Sequence, residues 1–449
     1  MNIVARTQLD YILRSKVEIM NKVKEKILII SEVFYPEIGS GSNRITNLVI
    51  ELKKNGYIVD VVTSEPSYPN KDIYKEDGYR DLEKEKEIYK DSNIHRVRTS
   101  KAKRTTNFFI RLYIYINFFF KSIFSIVFRR SKYDLVIATI PSPFSGVLGI
   151  IAKIRFRCKF ILDIRDLWPE CIKNVGLFRK NKFLLKIAYG LEKLIFKFTD
   201  SIVINSNGFK EYIIKNKYKK NVVFIPNGLH ISEIEEYEKV SRKANKHEKF
   251  TVIYTGMIGL PQNVTSLIRV ARNLRHIEDI EFKIIGTGIQ KGKVLELIEH
   301  YNLKNINVYK PMPKNKVVEE VAKCHIGLAH LRKDSAFDLV IPGKVIDYMG
   351  IGIPIVAGVE GYAAKVINDS KSGLVVEPDD YVELSKAIMK IYNDKSLHKY
   401  YSINGIDYCL NNFCIENNLI KYVELIEKVT RRNNDVKKDR YVRVESLHQ

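Results

Sequence analysis

The chain has 449 residues, of which 45% are hydrophobic and 28% charged, and this composition predicts a globular protein of two or three domains. The 75 lysine and arginine residues against 52 acidic ones give a formal charge of +23, which attracts polyanions, although a generally lysine-rich proteome is an alternative cause. Five cysteines without a CxxC pair argue against a disulfide framework or a zinc site and predict a cytoplasmic protein.

Residues 1–25 are interrupted by charges and lack the apolar core of a signal peptide, so they predict a short polar helical extension. The strand KILIIS (26–31), a glycine-containing turn, the helix ITNLVIELKKNG (45–56) and the strand YIVDVVTS (57–64) then form a βαβ pattern. The alternation continues through strands at 93–99, 134–139, 159–166, 201–206 and 221–228, with helices at 106–130, 143–154 and 208–216.

A second alternating series follows the polar, linker-like segment SRKANKHEKF (241–250). Its predicted strands are 251–256, 282–288, 306–311, 325–331, 354–358 and 373–378, and its predicted helices are 263–276, 293–303, 317–324 and 344–352. The sequence thus predicts two facing Rossmann-like, doubly wound α/β domains with ligands in a cleft at the carboxyl ends of their strands. The predicted boundaries are 26–240 and 241–428, with C-terminal helices free to cross back to the first domain and a basic tail at 429–449.

The turn PEIGSGSNR (36–44) is a candidate phosphate or acceptor loop. Gly39, Ser40 and Gly41 stand just before a helix, where free N–H groups favour an anion, and Arg44 adds a guanidinium. Glycine turns between a strand and a helix are also common without such a role.

The segment LDIRDLWPE (162–170) places Asp163, Arg165 and Asp166 at the end of a buried strand. Sites in α/β sheets lie at such strand ends, so these three residues are candidate catalytic residues, with Trp168 as a stacking surface. The alternative is an internal salt-bridge cluster that braces the loop.

Glycines follow two predicted strands of the second half, namely Gly256, Gly259, Gly286 and Gly288. VIPGKVIDYMG (340–350) then brings Gly343 and Lys344 to the start of a helix, a combination that suits a diphosphate. Asp347 lies on the same helix face, where its carboxylate can accept hydrogen bonds from ribose hydroxyls or form an ordinary surface pair with Lys344.

These motifs, in this order and spacing, resemble glycosyltransferase family 4. The resemblance is carried by IIGTGIQKGKVLELI, VIPGKVIDYMGIGIPIVAG, GLVVEPDD, LDIRDLWPE and VFIPNG, and covers roughly residues 26–428. It implies the GT-B fold, and DLWPE with SEPSYP is similar to the bacterial branch that builds O-antigen and capsule repeats, near the N-acetylfucosamine-type transferases.

Three departures from the family pattern stand out. The family's paired acids lie eight residues apart; Asp347 occupies the second position, but the first falls on Leu339, so that carboxylate is absent or supplied by Asp338. Arg165-Asp166 stands where many members have a His-Asp pair, and the usual basic residue of the first donor loop is replaced around Gln262–Asn263.

The resemblance implies a retaining transfer from a UDP-sugar to a polyprenyl-diphosphate-linked saccharide, without a metal or other cofactor. Lys344 and helix amides would meet the leaving-group charge, while the general base stays open. The alternatives are a transferase with a soluble acceptor, a UDP-sugar epimerase, and a basic binding or scaffold protein; no motif indicates nucleic-acid binding.

The segment TNFFIRLYIYINFFFKSIFSIVFRR (106–130) is long enough to span a bilayer, but each charge within it costs roughly 2.5–3.5 kcal/mol at mid-membrane. A span would also separate strands that must share one sheet. With ten basic and no acidic residues between Ser92 and Tyr133, it predicts a helix lying on the anionic inner face of the plasma membrane, or alternatively one packed on the sheet. The residue candidates for membrane contact are Phe118, Phe119, Phe120, Arg129 and Arg130, and GLFRKNKFLLKIAYGLEKLIFKF (176–198) has a similar character.

Overall fold

The computed structural model describes residues 25–37, 39–66, 82–98, 108–140, 142–170, 173, 181–216, 218, 220–334 and 337–445, with the backbone alone for 108, 109, 111 and 431–445. Several predictions fall elsewhere: the N-terminal extension up to residue 24, residues 176–180 of the second basic stretch, the last four residues of the tail, and Lys101, Lys103, Arg104 and Cys171 all lie outside the described residues.

A seven-stranded sheet forms the centre of the first half of the described chain, in the order β3-β2-β1-β4-β5-β6-β7. Neighbouring strands from β3 to β6 are parallel. Continuous apolar runs form these strands because both faces of the sheet are covered, and β4 is buried along its whole length. The strands are β1 Lys26–Ile30, β2 Ile58–Ser64, β3 Ile94–Val97, β4 Leu135–Ile140, β5 Lys159–Ile164, β6 Ser201–Ile204 and β7 Asn221–Phe224.

Helices cover both faces of this sheet. The chain moves in opposite directions from β1 and from β4, so right-handed crossovers place α1 and α2 on one face and α4 and α5 on the other. The long helix α3 packs against α4 and shares its layer. The helices are α1 Ser40–Lys54, α2 Leu82–Tyr89, α3 Phe108–Val127, α4 Pro143–Phe156 and α5 Lys182–Phe198.

Helix α3 contains the apolar segment that raised the question of a membrane span. Ile114, Phe118, Ser122 and Ile126 recur every fourth residue and are buried, so one face of the helix packs into the protein. Among the described residues, no helix combines the length and the hydropathy that crossing a bilayer requires.

A six-stranded parallel sheet forms the centre of the second half, in the order β10-β9-β8-β11-β12-β13. In each sheet the strand order reverses between two neighbours, β1 and β4 or β8 and β11, which is where ligands bind in doubly wound folds. The strands are β8 Phe250–Thr255, β9 Ile280–Ile285, β10 Ile306–Tyr309, β11 Ile326–His330, β12 Ile355–Gly358 and β13 Gly373–Val376.

The remaining helices lie between β6 and the C-terminal end of the described chain. Three helices of the described chain, α2, α7 and α12, have no counterpart in the sequence prediction. The helices are α6 Gly208–Lys215, α7 Ile231–Lys243, α8 Thr265–Asn273, α9 Lys291–His300, α10 Lys314–Lys323, α11 Gly343–Ile351, α12 Gly361–Asp369, α13 Tyr381–Asn393, α14 Lys395–Asn412 and α15 Ile415–Glu445.

The chain divides into two compact units. The second unit comprises Ser206–Lys217 and Phe224–Asn418. The first unit comprises the chain up to Asn205, Tyr218–Val223 and the chain from Leu419 onward. Helix α15 therefore begins in the second unit and continues in the first. Each unit is a parallel-sheet, Rossmann-like α/β domain, which confirms the predicted fold class.

Candidate active site

Lys344 lies in the first turn of α11, in the second unit, and its amino group is buried. Nζ lies 3.4 Å from the centroid of the Tyr254 ring, and no residue in the described part of the chain accepts a hydrogen bond from it. Burial lowers the pKa of Lys344 well below its usual value, and the nearby Asp347 opposes this shift. Helix α11 begins after Pro342 without a side-chain cap. A buried lysine amine without a hydrogen-bond acceptor, beside uncapped helix amides, is a candidate site for an anion.

The predicted glycine turns lie at the ends of β8 and β9. A Cβ atom on Gly286 would lie 1.9 Å from the Gly256 carbonyl oxygen, so the two turns approach each other so closely that Gly286 has no room for a side chain. Gly288 and Gly259 belong to the same turns, while Gly343 faces open space. The structure therefore brings a backbone-lined edge next to Lys344, since a Cβ on Gly256 would lie 3.9 Å from its Nζ.

Asp347 lies one turn after Lys344 and has a partner that the sequence analysis missed. Burial raises the pKa of Asp347, while Lys314 and Lys344 lower it and Glu233 raises it. Lys314, the first residue of α10, donates a hydrogen bond of 2.7 Å to Glu233 of α7. Although burial lowers the pKa of Lys314, Asp347 and Glu233 raise it above its usual value. Lys314 thus stays protonated between two carboxylates.

Asp338 does not join this group. Burial raises the pKa of its carboxyl group, and Glu360 adds to the shift, but Asp347 is not among the described charges that act on it. At the neighbouring position, the Leu339 carbonyl oxygen accepts a hydrogen bond from the Ser206 hydroxyl. Leu339 occupies the first acidic position of the family pattern, and its backbone carbonyl is therefore held by Ser206. The role of Asp338 in donor binding stays a prediction.

A hydrogen-bonded network that the sequence analysis also missed holds the turn after β8. His330, at the end of β11, donates through Nδ1 to the Gln262 carbonyl oxygen at 3.0 Å and accepts at Nε2 from the Asp379 N–H at 3.0 Å. Asp379 Oδ1 accepts from Asn263 Nδ2 at 2.6 Å and from the Ser266 hydroxyl at 2.8 Å. Burial lowers the pKa of His330, which keeps the imidazole neutral as this pattern requires. The only sequence signal was a lone histidine at a strand end.

In the first unit, Arg44 and Asp163 pair with each other inside the protein. Arg44 Nε donates to both carboxylate oxygens of Asp163, at 3.2 and 3.1 Å, and Tyr422 of α15 donates to Oδ2 at 3.2 Å. Asp163 is 0% exposed and the Arg44 side chain 7%. This corrects the prediction that Arg44 faces a phosphate and Asp163 the reaction; the internal salt bridge named as the alternative is present instead.

Arg165 occupies the position near the glycine turn that the sequence analysis gave to Arg44. Its Nε donates to the Ile140 carbonyl oxygen at 3.3 Å, and a Cβ on Gly41 would lie 1.4 Å from its Nη1. A side chain on Gly41 would therefore have to displace the guanidinium, which lies against the start of α1. That helix begins at Ser40, with Gly39 before it and no side-chain cap.

Asp166 is the solvent-exposed acid of the LDIRDLWPE segment. Desolvation by the surrounding protein raises the pKa of Asp166, and the Arg165 guanidinium opposes the shift. Arg165 and Asp166 are therefore the members of the predicted catalytic set that a ligand can reach within the first unit.

The predicted membrane residues separate into buried and exposed ones. Phe118 is 1% exposed and lies in the core, and Arg129 forms an ion pair of 3.4 Å with a buried aspartate of β2, so both predictions are corrected. Phe119 is half-buried. Phe120, at 57%, and Arg130 are exposed.

Two protein-family models match this chain in succession. Residues 41–233 match Glycosyltransferase Family 4, and residues 233–408 match Glycosyl transferases group 1. The putative colanic acid biosynthesis glycosyl transferase WcaI of Escherichia coli is 24% identical over 355 residues, which cover 75% of this chain and 84% of that protein.

A second relative is the N-acetylgalactosamine-N,N'-diacetylbacillosaminyl-diphospho-undecaprenol 4-alpha-N-acetylgalactosaminyltransferase of Campylobacter jejuni, 24% identical over 238 residues, or 52% of this chain and 61% of that protein. Among solved structures, Anabaena HepE in complex with UDP and glucose superimposes with a TM-score of 0.66 at 14% identity, covering 90% of this chain and 100% of HepE. The chain consists of a family 4-type domain followed by a group 1 domain, and it is a glycosyltransferase of the GT-B type.

Proposed function

We propose that the protein is a retaining glycosyltransferase that moves a sugar from a UDP-sugar to a polyprenyl-diphosphate-linked saccharide during the synthesis of a cell-surface polysaccharide. It would act on the inner face of the plasma membrane, where such an acceptor is anchored. The N-acetylfucosamine-type branch stays a prediction, because neither relative named above carries that sugar in its name.

One observation carries the donor assignment: the buried Nζ of Lys344 has no hydrogen-bond acceptor among the described residues. Burying a cation without a partner is costly unless a ligand supplies the countercharge. A nucleotide diphosphate is such a ligand, and HepE, with the same fold, binds UDP.

The proposed reaction uses charge stabilisation in the second unit. The diphosphate would accept hydrogen bonds from Lys344 and the first-turn amides of α11, which stabilise the negative charge that develops on the leaving group. Asp347, held beside Lys314, would accept hydrogen bonds from the ribose hydroxyls. In a front-face transfer the leaving phosphate itself can take the acceptor's proton, so the proposal needs neither a separate base nor a metal ion.

The first unit would bind the acceptor. Arg165 presents a guanidinium beside the uncapped start of α1, a combination that suits a phosphate group, and the exposed Asp166 is placed to accept a hydrogen bond from a sugar hydroxyl. The name of the Campylobacter relative includes a diphospho-undecaprenol-linked acceptor, which supports a lipid-linked acceptor here.

UDP binding to the Lys344→Met variant tests the donor site. Methionine keeps the apolar contact with Tyr254 but lacks the charge, so we expect calorimetry to show UDP affinity falling by about 30-fold or more, or about 2 kcal/mol. Lys386→Met, at an exposed lysine on α13, is the matched control and should bind normally. Unchanged affinity in Lys344→Met would refute the donor site.

Turnover with a panel of UDP-sugars and polyprenyl-diphosphate-linked acceptors tests the reaction. We expect one sugar to enter lipid with the anomeric configuration of the donor retained. Transfer to a soluble acceptor alone, isomerisation of a UDP-sugar without acceptor, or UDP binding without any turnover would each replace the proposal by one of the alternative functions.

A further inference from the structure

The outer surface of the layer formed by α3, α4 and α5 is unusually apolar. On α3, Phe120, Phe124 and Phe128 form an exposed stripe at a spacing of four residues, with exposures of 57%, 64% and 73%. Phe124 and Phe128 stack on each other with ring centroids 6.0 Å apart. Since Phe118 faces inward, this helix is apolar on both faces.

The other two helices extend this surface. Helix α4 lies between α3 and α5 and packs against both. It exposes Ile154 at 62%, and α5 exposes Ile187 at 53% and Leu194 at 44%. Arg155 of α4 donates to the Val127 carbonyl oxygen at the end of α3 at 2.9 Å, which fixes the two helices to each other. The exposed apolar side chains thus belong to one continuous layer rather than to a single helix.

The charges on this layer have one sign. Lys121, Arg155, Lys186 and Lys193 are exposed on the same three helices. The three helices contain a single acidic residue, Glu192, and its side chain is 3% exposed and accepts a hydrogen bond from Tyr218. By contrast, the helices of the opposite layer carry several glutamates: Glu51 on α1 and Glu83, Glu85 and Glu87 on α2.

We propose that the outer face of α3, α4 and α5 docks on an anionic lipid bilayer, with the phenylalanine stripe at the level of the acyl chains and the basic side chains at the headgroups. An apolar face whose three helices expose basic and no acidic side chains fits this partner, because apolar burial and attraction to anionic headgroups act together. The first unit would then lie with this helical layer flat on the membrane. This inference does not depend on the sugar or the acceptor proposed above.

Co-sedimentation of the full chain with vesicles tests the docking face without any nucleotide or acceptor. We expect binding to vesicles that contain phosphatidylglycerol, and weak binding to phosphatidylcholine alone or at high salt. The variant Phe120→Ser/Phe124→Ser/Phe128→Ser should lose about 100-fold in affinity, because it removes three large apolar side chains from the contact. Lys186→Gln/Lys193→Gln should lose about 25-fold, at about 5-fold for each charge removed near an anionic surface.

The matched control is Ile58→Ser/Leu82→Ser/Tyr89→Ser, which removes three exposed apolar side chains outside this layer, with exposures of 44%, 68% and 45%. It should bind vesicles as the wild type does, and circular dichroism verifies the fold of each variant. A folded phenylalanine-stripe variant that still pellets with vesicles would overturn the proposal. So would a wild-type dimer that the stripe variant dissociates while vesicle binding is unchanged, since a second copy would then cover this face.

Discussion

At the scale of single residues, Asp163 shows how a carboxylate at a strand end becomes structural. It is 0% exposed, and its partners come from distant parts of the chain, with Arg44 on α1 and Tyr422 on α15. A buried carboxylate needs both a countercharge and hydrogen bonds, and removing one partner leaves an uncompensated charge. The C-terminal helix is thereby tied to the first sheet.

Stability measurements on Arg44→Met and Tyr422→Phe test this role. We expect Arg44→Met to lower the free energy of unfolding of the first unit by about 3–5 kcal/mol, because Asp163 loses its countercharge. Tyr422→Phe should cost about 1–3 kcal/mol, the penalty for one lost hydrogen bond to a buried charge. Urea titration measures both. Tyr400→Phe, at a tyrosine 46% exposed, serves as the control and should change stability by less than about 0.5 kcal/mol. Full stability of Arg44→Met together with lost turnover would instead make Arg44 a catalytic residue.

At the scale of elements, His330 connects strand β11 to the turns that follow β8 and β13. Its imidazole bonds the turn after β8 through Gln262 and the turn after β13 through Asp379. Asp379 (φ 66°) and Asn263 (φ 41°) both have positive φ angles, a conformation that aspartate and asparagine adopt more readily than other residues with a side chain. The network therefore holds the turn that leads from Gly256, the glycine beside Lys344.

We expect His330→Ala to weaken donor binding without removing the chemistry. Losing both bonds frees the turn after β8, so KM for the UDP-sugar should rise about tenfold, while kcat changes less than KM. Steady-state kinetics over donor concentration measure this split, and His300→Ala, on α9, is the control. An equal fall of kcat and kcat/KM with unchanged KM would show that His330 acts in the transition state rather than on the turn.

The strands were predictable from the sequence because apolar runs such as DLVIAT have few other conformations in an α/β chain. Helix α2 was not, since Ile88 is the single buried residue among its charged neighbours. In α3 apolar residues occupy every side, so periodicity could not tell the buried Phe118 from the exposed Phe120. In the site, Lys344 and Asp347 were indicated by a local motif, whereas the contact from Tyr422 to Asp163 joins residues 259 positions apart and has no local signature.

At the scale of the whole molecule, the net charge of +23 becomes larger as the pH falls. Buried histidines that stay neutral in the folded protein make its stability depend on pH. His325 directly precedes β11, an inner strand of the second sheet, and lies at the amino-terminal end of that strand. Its ring stacks on Phe250 with centroids 4.8 Å apart, and its Nδ1 accepts a hydrogen bond of 3.0 Å from the Thr251 N–H. Burial, together with the nearby Lys246 and two neighbouring histidines, lowers the pKa of His325 to about 4. Because Nδ1 is an acceptor here, protonation would replace an attraction by a repulsion.

The second unit should therefore lose stability between pH 6.5 and pH 4. The unfolded chain takes up the His325 proton near pH 6.5 and the folded chain only near pH 4, so the folded state is penalised progressively as the pH falls through this window. The loss is about 1.4 kcal/mol per pH unit at most, and about 2–3 kcal/mol over the window. In His325→Asn the amide oxygen can still accept from Thr251 but cannot be protonated, so urea unfolding should show a shallower dependence on pH than in the wild type. The control His276→Asn, at an exposed histidine, should keep the wild-type slope. If His325→Asn and the wild type lose stability in parallel between pH 6.5 and pH 4, other groups govern the acid response and His325 is protonated in the folded protein.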